Sequence, residues 1–166
     1  MSQIQSSEDL DRVCDVLDKL TLDSLLLIEE KVRLTLNAEN AMCGGEAHLA
    51  KARYIMGQNS VSALQLPTEN SAEFTASAKV YPNEDEKLFG EASYELHLTG
   101  TAEGQTVQDP VRWFGVLVPQ NLHSARGMFR QALQWAVQTV NIQKQLRATM
   151  EKIVELNEVK TRILAK

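Results

Sequence analysis

The sequence predicts a mainly α-helical fold, in which an antiparallel pair of long helices forms a coiled-coil hairpin with a β-hairpin inserted between them. Apolar residues recur at alternating steps of three and four positions near both ends of the chain, as in helices that pack on each other. Only 5% of the residues are aromatic while 43% are hydrophobic, which favours aliphatic packing between helices. The two helical regions also carry opposite net charges.

The length of 166 residues predicts one domain. Within it we expect an N-terminal helix over 7–57, an acidic connector over 58–108, an Asp-Pro-x-x-Trp-Phe-Gly segment over 109–120 and a C-terminal helix over 121–165.

The N-terminal helix is predicted to begin at Ser7, a favourable N-cap that two acidic residues follow. Its heptad pattern continues through Leu10, Val13, Leu17, Leu20, Ser24, Leu27, Leu34, Ala38 and Ala41. Lys31 replaces an apolar residue at one position of the pattern. Gly44 and Gly45 each disfavour helix by about 1 kcal/mol relative to Ala, so we expect a long helix that is interrupted or kinked there and ends near Gly57.

Four further apolar residues widen the apolar stripe of this helix beyond the heptad positions. They are Val16, Leu26, Ile28 and Val32. A stripe of this width predicts a helix that contacts more than one neighbour over part of its length. We expect another protein to bury some of it.

The C-terminal helix repeats the heptad spacing after start signals at Pro119 and Asn121. Its pattern comprises Ala125, Met128, Ala132, Trp135, Thr139, Ile142, Leu146, Thr149, Ile153, Leu156, Lys160 and Ile163. Residues 1–57 contain 10 acids and 6 bases, whereas residues 122–166 contain 3 acids and 8 bases. Two helices of similar length and opposite charge, joined by a long connector, are expected to lie antiparallel.

The connector has the period-two pattern of β-strands rather than the pattern of a helix. Apolar and polar residues alternate over Phe74–Tyr81 and again over Ala92–Thr99, and the charged segment Pro82–Lys87 separates them. This predicts a β-hairpin, with a disordered acidic insert as the alternative.

The sequence contains no glycine-rich phosphate loop, nucleophile elbow, Cys-x-x-Cys pair or His-Glu-x-x-His motif. The three histidines, His48, His97 and His123, lie in separate segments without other ligands at metal-binding spacing. We therefore predict a non-catalytic protein with no metal and no cofactor. An enzyme site in the hairpin would have only Glu95 and His97 as neighbouring candidates, which makes it the weaker hypothesis.

The basic residues of the C-terminal helix are widely spaced, and the sequence pI is about 5.2, which argues against nucleic-acid binding. The apolar run Leu25–Ile28 is far shorter than the roughly 20 residues of a membrane span. Met1–Gln5 lacks the features of a secretory signal, so we expect a location on the cytosolic side of membranes. Cys14 and Cys43 lie in one predicted helix, roughly 43 Å apart, which excludes a disulfide bond between them.

Two short segments differ from the rest in composition. They are Leu49–Gly57, which reads Leu-Ala-Lys-Ala-Arg-Tyr-Ile-Met-Gly, and Gln108–Pro119, in which Asp109-Pro110 predicts a turn before Trp113 and Phe114. The two adjacent rings either fill the open end of the helix pair or form an anchor for a partner protein, and both roles are compatible.

In this order, the two segments resemble the coiled-coil-domain-containing assembly factors of the vacuolar proton ATPase. Residues 50–57 are similar to the family's Ala-Lys-Ala-Arg-Tyr-x-Met-Gly, and residues 108–129 to its Asp-Pro-x-x-Trp-Phe-Gly-x-Leu-Val-Pro followed by a helix with a phenylalanine. Residues 66–107 match no family pattern. The resemblance nominates seven residues for partner binding or for fixing the fold, namely Lys51, Arg53, Tyr54, Asp109, Pro110, Trp113 and Phe114.

The resemblance also implies a role. Such proteins are peripheral on the cytosolic face of the endoplasmic reticulum, or on early secretory or endolysosomal membranes, and support vacuolar acidification. They form a hetero-oligomer with a membrane-anchored assembly factor and with membrane-sector subunits of the pump, as non-catalytic assembly chaperones. The alternative is a generic coiled-coil tethering or cytoskeletal adaptor, which predicts a homo-oligomer.

Overall fold

The computed structural model describes residues 2–71, 73–88, 91–98 and 109–165. In chain order its elements are helix α1 (Ser2–Met56), a 3₁₀ turn (Ala63–Gln65), strands β1 (Ala78–Leu88) and β2 (Glu91–Leu98), a second 3₁₀ helix (Pro110–Phe114) and helix α2 (Gln120–Leu164). The predicted fold class, two long helices with an antiparallel β-hairpin between them, is confirmed.

Helix α1 begins at Ser2, earlier than the predicted Ser7, because residues that extend an existing helix avoid the cost of nucleation. It also continues through Gly44 and Gly45 without interruption. None of the helices in the described ranges is long and apolar enough to cross a membrane. Cys14 and Cys43 both carry free thiols.

The helices α1 and α2 lie antiparallel. A Cβ atom added at Gly45 would lie 2.7 Å from the Phe129 ring, and His48 Nδ1 lies 3.3 Å from Asn121 Oδ1. Residue numbers therefore rise along α1 while those of its neighbours fall along α2. Every residue of both predicted heptad patterns is buried or half-buried, so the two patterns form the interface between the helices.

The interface consists mainly of small and aliphatic side chains. Its buried members include Leu17, Ser24, Leu34 and Ala41 on α1, and Ala125, Ala132 and Thr149 on α2. The two buried hydroxyls bind carbonyls of their own helices: Ser24 Oγ donates to Thr21 O at 2.7 Å, and Thr149 Oγ1 donates to Gln145 O at 2.9 Å. Buried polar atoms with partners cost little stability, so the interface tolerates them.

Gly45 is buried where the ring of Phe129 approaches the backbone of α1. Any side chain at this position would overlap the ring, since the added Cβ would lie 2.7–2.9 Å from three of its atoms. The contact offsets the low helix propensity of glycine, about 1 kcal/mol relative to alanine, which explains why the predicted interruption is absent.

The β-hairpin differs from its predicted bounds. Strand β1 includes the predicted loop Pro82–Lys87, and residues 74–77 precede it without strand structure. The register runs from Ala78 opposite Leu98 and shifts between Asn83 and Lys87. A two-stranded sheet can expose both faces at one end, so polar and charged residues can lie within its strands. The alternation of apolar and polar residues therefore does not show where the strands begin and end.

Contacts of Tyr94 attach the hairpin to α2. Asn141 Nδ2 donates to Tyr94 O, and Asn141 Oδ1 accepts from the backbone N–H of Tyr94, both at 2.8 Å. Lys144 Nζ lies 4.1 Å from the centre of the Tyr94 ring, a cation–π contact. A lone hairpin is marginally stable in water, so these contacts explain how it is held.

We predict opposite effects for side chains added at two helical glycines. Gly45→Leu is expected to lower the free energy of unfolding by about 1–3 kcal/mol, because the new side chain overlaps Phe129. The matched control, Gly127→Ala, adds a Cβ with nothing within 4 Å and is expected to raise it by about 0.5–1 kcal/mol. Urea denaturation monitored by circular dichroism at 222 nm measures both. Equal stabilities of Gly45→Leu and wild type would contradict the close approach.

Candidate functional site

The two distinctive sequence segments meet at one end of the helix pair. Residues 49–61 lead out of α1, and residues 109–122 lead into α2; together they form what we call the capped end. The four residues of its core, each 5% exposed or less, are Ala52, Val61, Val111 and Leu122. Leu49, Met56, Phe114 and Val118 pack against them. Hydrophobic burial therefore holds the segments together.

The Asp109-Pro110 pair starts the second 3₁₀ helix. Asp109 Oδ1 accepts a hydrogen bond from the Val111 backbone N–H at 3.2 Å, as an N-cap does. Pro110 occupies the first turn, where a missing N–H costs no hydrogen bond. Gly115 follows the helix at φ +136°, in a region that favours glycine. This local geometry directs Val111 into the core.

Asp109 also forms an ion pair with Arg126 of α2. Arg126 Nη1 donates to Asp109 Oδ2, and the two side chains are 32% and 31% exposed. The hydrogen bond from Arg126 holds the pKa of Asp109 below its usual value of 3.8, and the Val111 N–H acts in the same direction. The ion pair links the 3₁₀ helix to α2, and its two residues lie 17 positions apart in the sequence.

Trp113 and Phe114 both lie half-buried within the capped end. Phe114 packs against the core, and the ring of Trp113 contacts Phe74 edge-on, with 5.3 Å between centroids and an interplanar angle of 73°. Trp113 Nε1 is buried without a hydrogen-bond partner in the described part of the chain. Both rings thus occupy the end of the helix pair, and their participation in partner binding stays a prediction.

The outer surface of the capped end is apolar and basic. Tyr54, Val116 and Leu117 are 91%, 98% and 93% exposed. Lys51, Arg53 and Arg112 are also exposed, and the one acidic residue in the capped end, Asp109, is paired with Arg126. Tyr54 and Lys51 line a shallow depression together with the half-buried Asn121 of α2, so the end of α1 and the start of α2 contribute to one surface.

An apolar cleft of about 290 Å³ lies beside this surface. Phe114, Phe129 and Leu133 contribute to its lining, together with Arg126 and Arg130. Apolar walls with a few polar groups suit the burial of an apolar side chain from a partner.

Several of these features were not anticipated from the sequence. The near-complete exposure of Val116 and Leu117 was missed, although the flanking Gly115 and Pro119 indicate a short loop at this point. The partners of Asp109 and Trp113, which are Arg126 and Phe74, have no sequence signal because they lie 17 and 39 positions away.

The other chemical candidates lie elsewhere. Glu95 and His97 form an exposed pair in the hairpin, with 3.4 Å between Glu95 Oε2 and His97 Nε2. Within the described ranges, no three His, Cys, Asp or Glu side chains form a group that could hold a metal ion. The seven residues nominated by the sequence all lie within the capped end, where Lys51, Arg53 and Tyr54 are exposed and the other four are half-buried.

Comparisons with known proteins identify relatives over most of the chain. No protein-family model matches it. The vacuolar ATPase assembly protein VMA22 of Mus musculus is 34% identical over 176 aligned positions, which cover 90% of this chain and 94% of that protein. The protein of the same name from Homo sapiens is 32% identical, covering 84% and 92%, and that from Danio rerio is 28% identical, covering 86% and 88%.

The Asp109–Arg126 ion pair predicts a defined pH dependence of stability. Asp109→Asn keeps an N-cap acceptor but removes the charge, and is expected to lower the free energy of unfolding by about 1 kcal/mol at pH 7, since the pair is partly solvated. The folded pKa is depressed, so the stabilisation is complete above the unfolded pKa of about 3.9 and is lost as the pH falls through the lower folded pKa. Urea denaturation at pH 7 and at a pH well below 3.8 measures the difference in the free energy of unfolding between wild type and Asp109→Asn. This difference is expected to vanish at the lower pH.

The control for this prediction is Glu30→Gln. Hydrogen bonds from Arg33 also lower the pKa of Glu30, but this pair lies on the exposed surface of α1. We expect a smaller effect of Glu30→Gln at pH 7, because solvent screens the pair. If both variants lost the same stability, the Asp109–Arg126 pair would have no special part in holding the capped end.

Proposed function

The chain belongs to the family of the vacuolar ATPase assembly protein VMA22, and on that basis we propose that it is a non-catalytic assembly chaperone for the membrane sector of the vacuolar proton-translocating ATPase. It acts as a heteromer with a membrane-anchored assembly factor. It is a peripheral protein at the cytosolic face of the endoplasmic reticulum, where it contributes to vacuolar acidification.

The observation that carries the proposal is the composition of the capped end. Tyr54, Val116 and Leu117 are almost fully exposed there, and Tyr54 lines one shallow depression with Lys51 and another with Arg53. Aromatic residues and arginine are enriched at the centres of protein interfaces. A partner that buried them would gain hydrophobic contacts and would present acidic groups to the cations.

The division between inner and outer residues supports a rigid docking surface. Phe114 and Val111 pack inside the capped end, and Asp109 binds Arg126, so the loop carrying Val116 and Leu117 starts from a fixed base. A surface that is ordered before binding loses less conformational entropy when the partner binds. The assembly factor would then hold this chain at the membrane, beside the pump subunits under assembly.

We predict that charge reversal at the capped end weakens the complex. Tagged Lys51→Glu/Arg53→Glu, isolated from gently solubilised membranes, is expected to recover about tenfold less of an integral membrane assembly factor and of membrane-sector pump subunits than wild type, because two cations facing the partner change sign. Quantitative mass spectrometry measures the recovery.

The matched control is Arg12→Glu/Lys19→Glu, which reverses two exposed cations at the other end of α1. It is expected to recover the partners at the wild-type level. Equal losses in both variants would show a general effect of charge. Recovery of only the protein itself or of cytoskeletal proteins would support the tethering adaptor instead.

A further inference from the structure

Helix α1 has a second apolar stripe on the side turned away from α2. Its six residues, each 40–59% exposed, are Leu22, Leu25, Leu26, Ile28, Val32 and Leu36, and we call them the outer stripe. At about 100° per residue, their mean direction lies roughly 160° from that of the neighbouring interface residues Ser24, Leu27 and Leu34. The outer stripe therefore occupies the opposite face of the helix.

No element in the described part of the chain covers the outer stripe. Helix α2 packs on the other face of α1, and the hairpin is attached to α2 through Tyr94 and Asn141. Single exposed apolar residues are common on protein surfaces, but six within about four turns of one helix form a contiguous patch. Such a patch is typical of a binding surface.

The spacing of the stripe indicates that its occupant is a helix. Leu22, Leu25, Glu29, Val32 and Leu36 follow one another at steps of three, four, three and four. Residues at this spacing form a seam along the helix, as in a coiled coil. The side chains of a second helix pack against such a seam. Glu29 holds the central position of this line.

Charges around the stripe are mainly acidic. Asp15, Asp18 and Glu39 are exposed on the same half of the helix as Glu29. Between Leu22 and Leu36, the cation on this side is Arg33, which donates to both carboxylate oxygens of Glu30, at 2.6 and 2.9 Å. A helix that covered Glu29 would desolvate its carboxylate, which requires a cationic partner to be favourable.

A second copy of the chain does not meet this requirement. Glu29 lies seven positions from both Leu22 and Leu36, so it is the midpoint of the stripe. Two stripes aligned in register, whether parallel or antiparallel, would therefore place Glu29 against Glu29. Like charges at the centre of an interface oppose association.

We propose that the outer stripe binds an amphipathic helix of another protein, and that this helix carries a lysine or arginine facing Glu29. Leu25 and Val32 on either side of Glu29 contact apolar residues of the same helix. This surface is separate from the capped end, and the inference goes beyond the proposed function by giving α1 a partner of its own.

Two synthetic helices test the proposal. Both have three heptads with leucine at the core positions and glutamine at the flanking positions, and they differ only in a central core residue, arginine in one and glutamate in the other. Full-length protein is titrated into each labelled peptide, and fluorescence anisotropy reports binding. The arginine peptide is expected to bind about tenfold more tightly than the glutamate peptide, and Glu29→Arg is expected to reverse the order.

Further variants distinguish peptide binding at the outer stripe from nonspecific hydrophobic binding. Leu25→Ser/Val32→Ser is expected to weaken binding of the arginine peptide about tenfold. The control Val140→Ser/Val159→Ser, which changes two exposed apolar residues of α2, is expected to bind as wild type does. Circular dichroism at 222 nm checks that each variant is folded.

Three results would overturn the proposal: equal affinities of the two peptides, unchanged preference in Glu29→Arg, or no saturable binding up to about 100 µM. A wild-type dimer that becomes monomeric in Leu25→Ser/Val32→Ser, seen by light scattering, would assign the stripe to a second copy. The capped-end variant Lys51→Glu/Arg53→Glu is expected to bind the arginine peptide normally. Failure of the assembly role therefore leaves the peptide result intact, and failure of the peptide result leaves the assembly role intact.

Discussion

Close approach between α1 and α2 positions every other part of this protein. Gly45 accepts the Phe129 ring directly on its backbone, and Ala52, Ala125 and Ala132 are small and buried. Small residues let helix backbones approach while aliphatic neighbours fill the remaining space. Because this contact sets the register of the two helices, it also determines which residues meet at their common end.

At the capped end, burial and exposure are divided between adjacent residues of the same segments. Phe114 contacts the core while Val116, two positions later, is almost fully exposed. Ala52 is fully buried, and Tyr54 projects into solvent. The Asp109 cap and its ion pair with Arg126 hold the 3₁₀ helix that leads to Val116, and α1 itself carries Ala52 and Tyr54.

Helix α1 contributes to two surfaces of opposite charge. Its last two turns provide Lys51 and Arg53 to the capped end, whereas its middle carries the apolar outer stripe with Glu29 and other acidic residues around it. Partners with different electrostatics would thus be directed to different places on one helix.

The sequence alone specifies the helical interface, because heptad periodicity records locally which side of a helix is buried. All residues of both heptad patterns are buried or half-buried, and the connector does contain a hairpin, although its strands are Ala78–Leu88 and Glu91–Leu98. The limits of β1, the continuity of α1 through Gly45, and the pairs Asp109–Arg126 and Trp113–Phe74 were decided by tertiary structure. These features depend on which distant residues are brought together, and periodicity within one element carries no information about its partner across the interface.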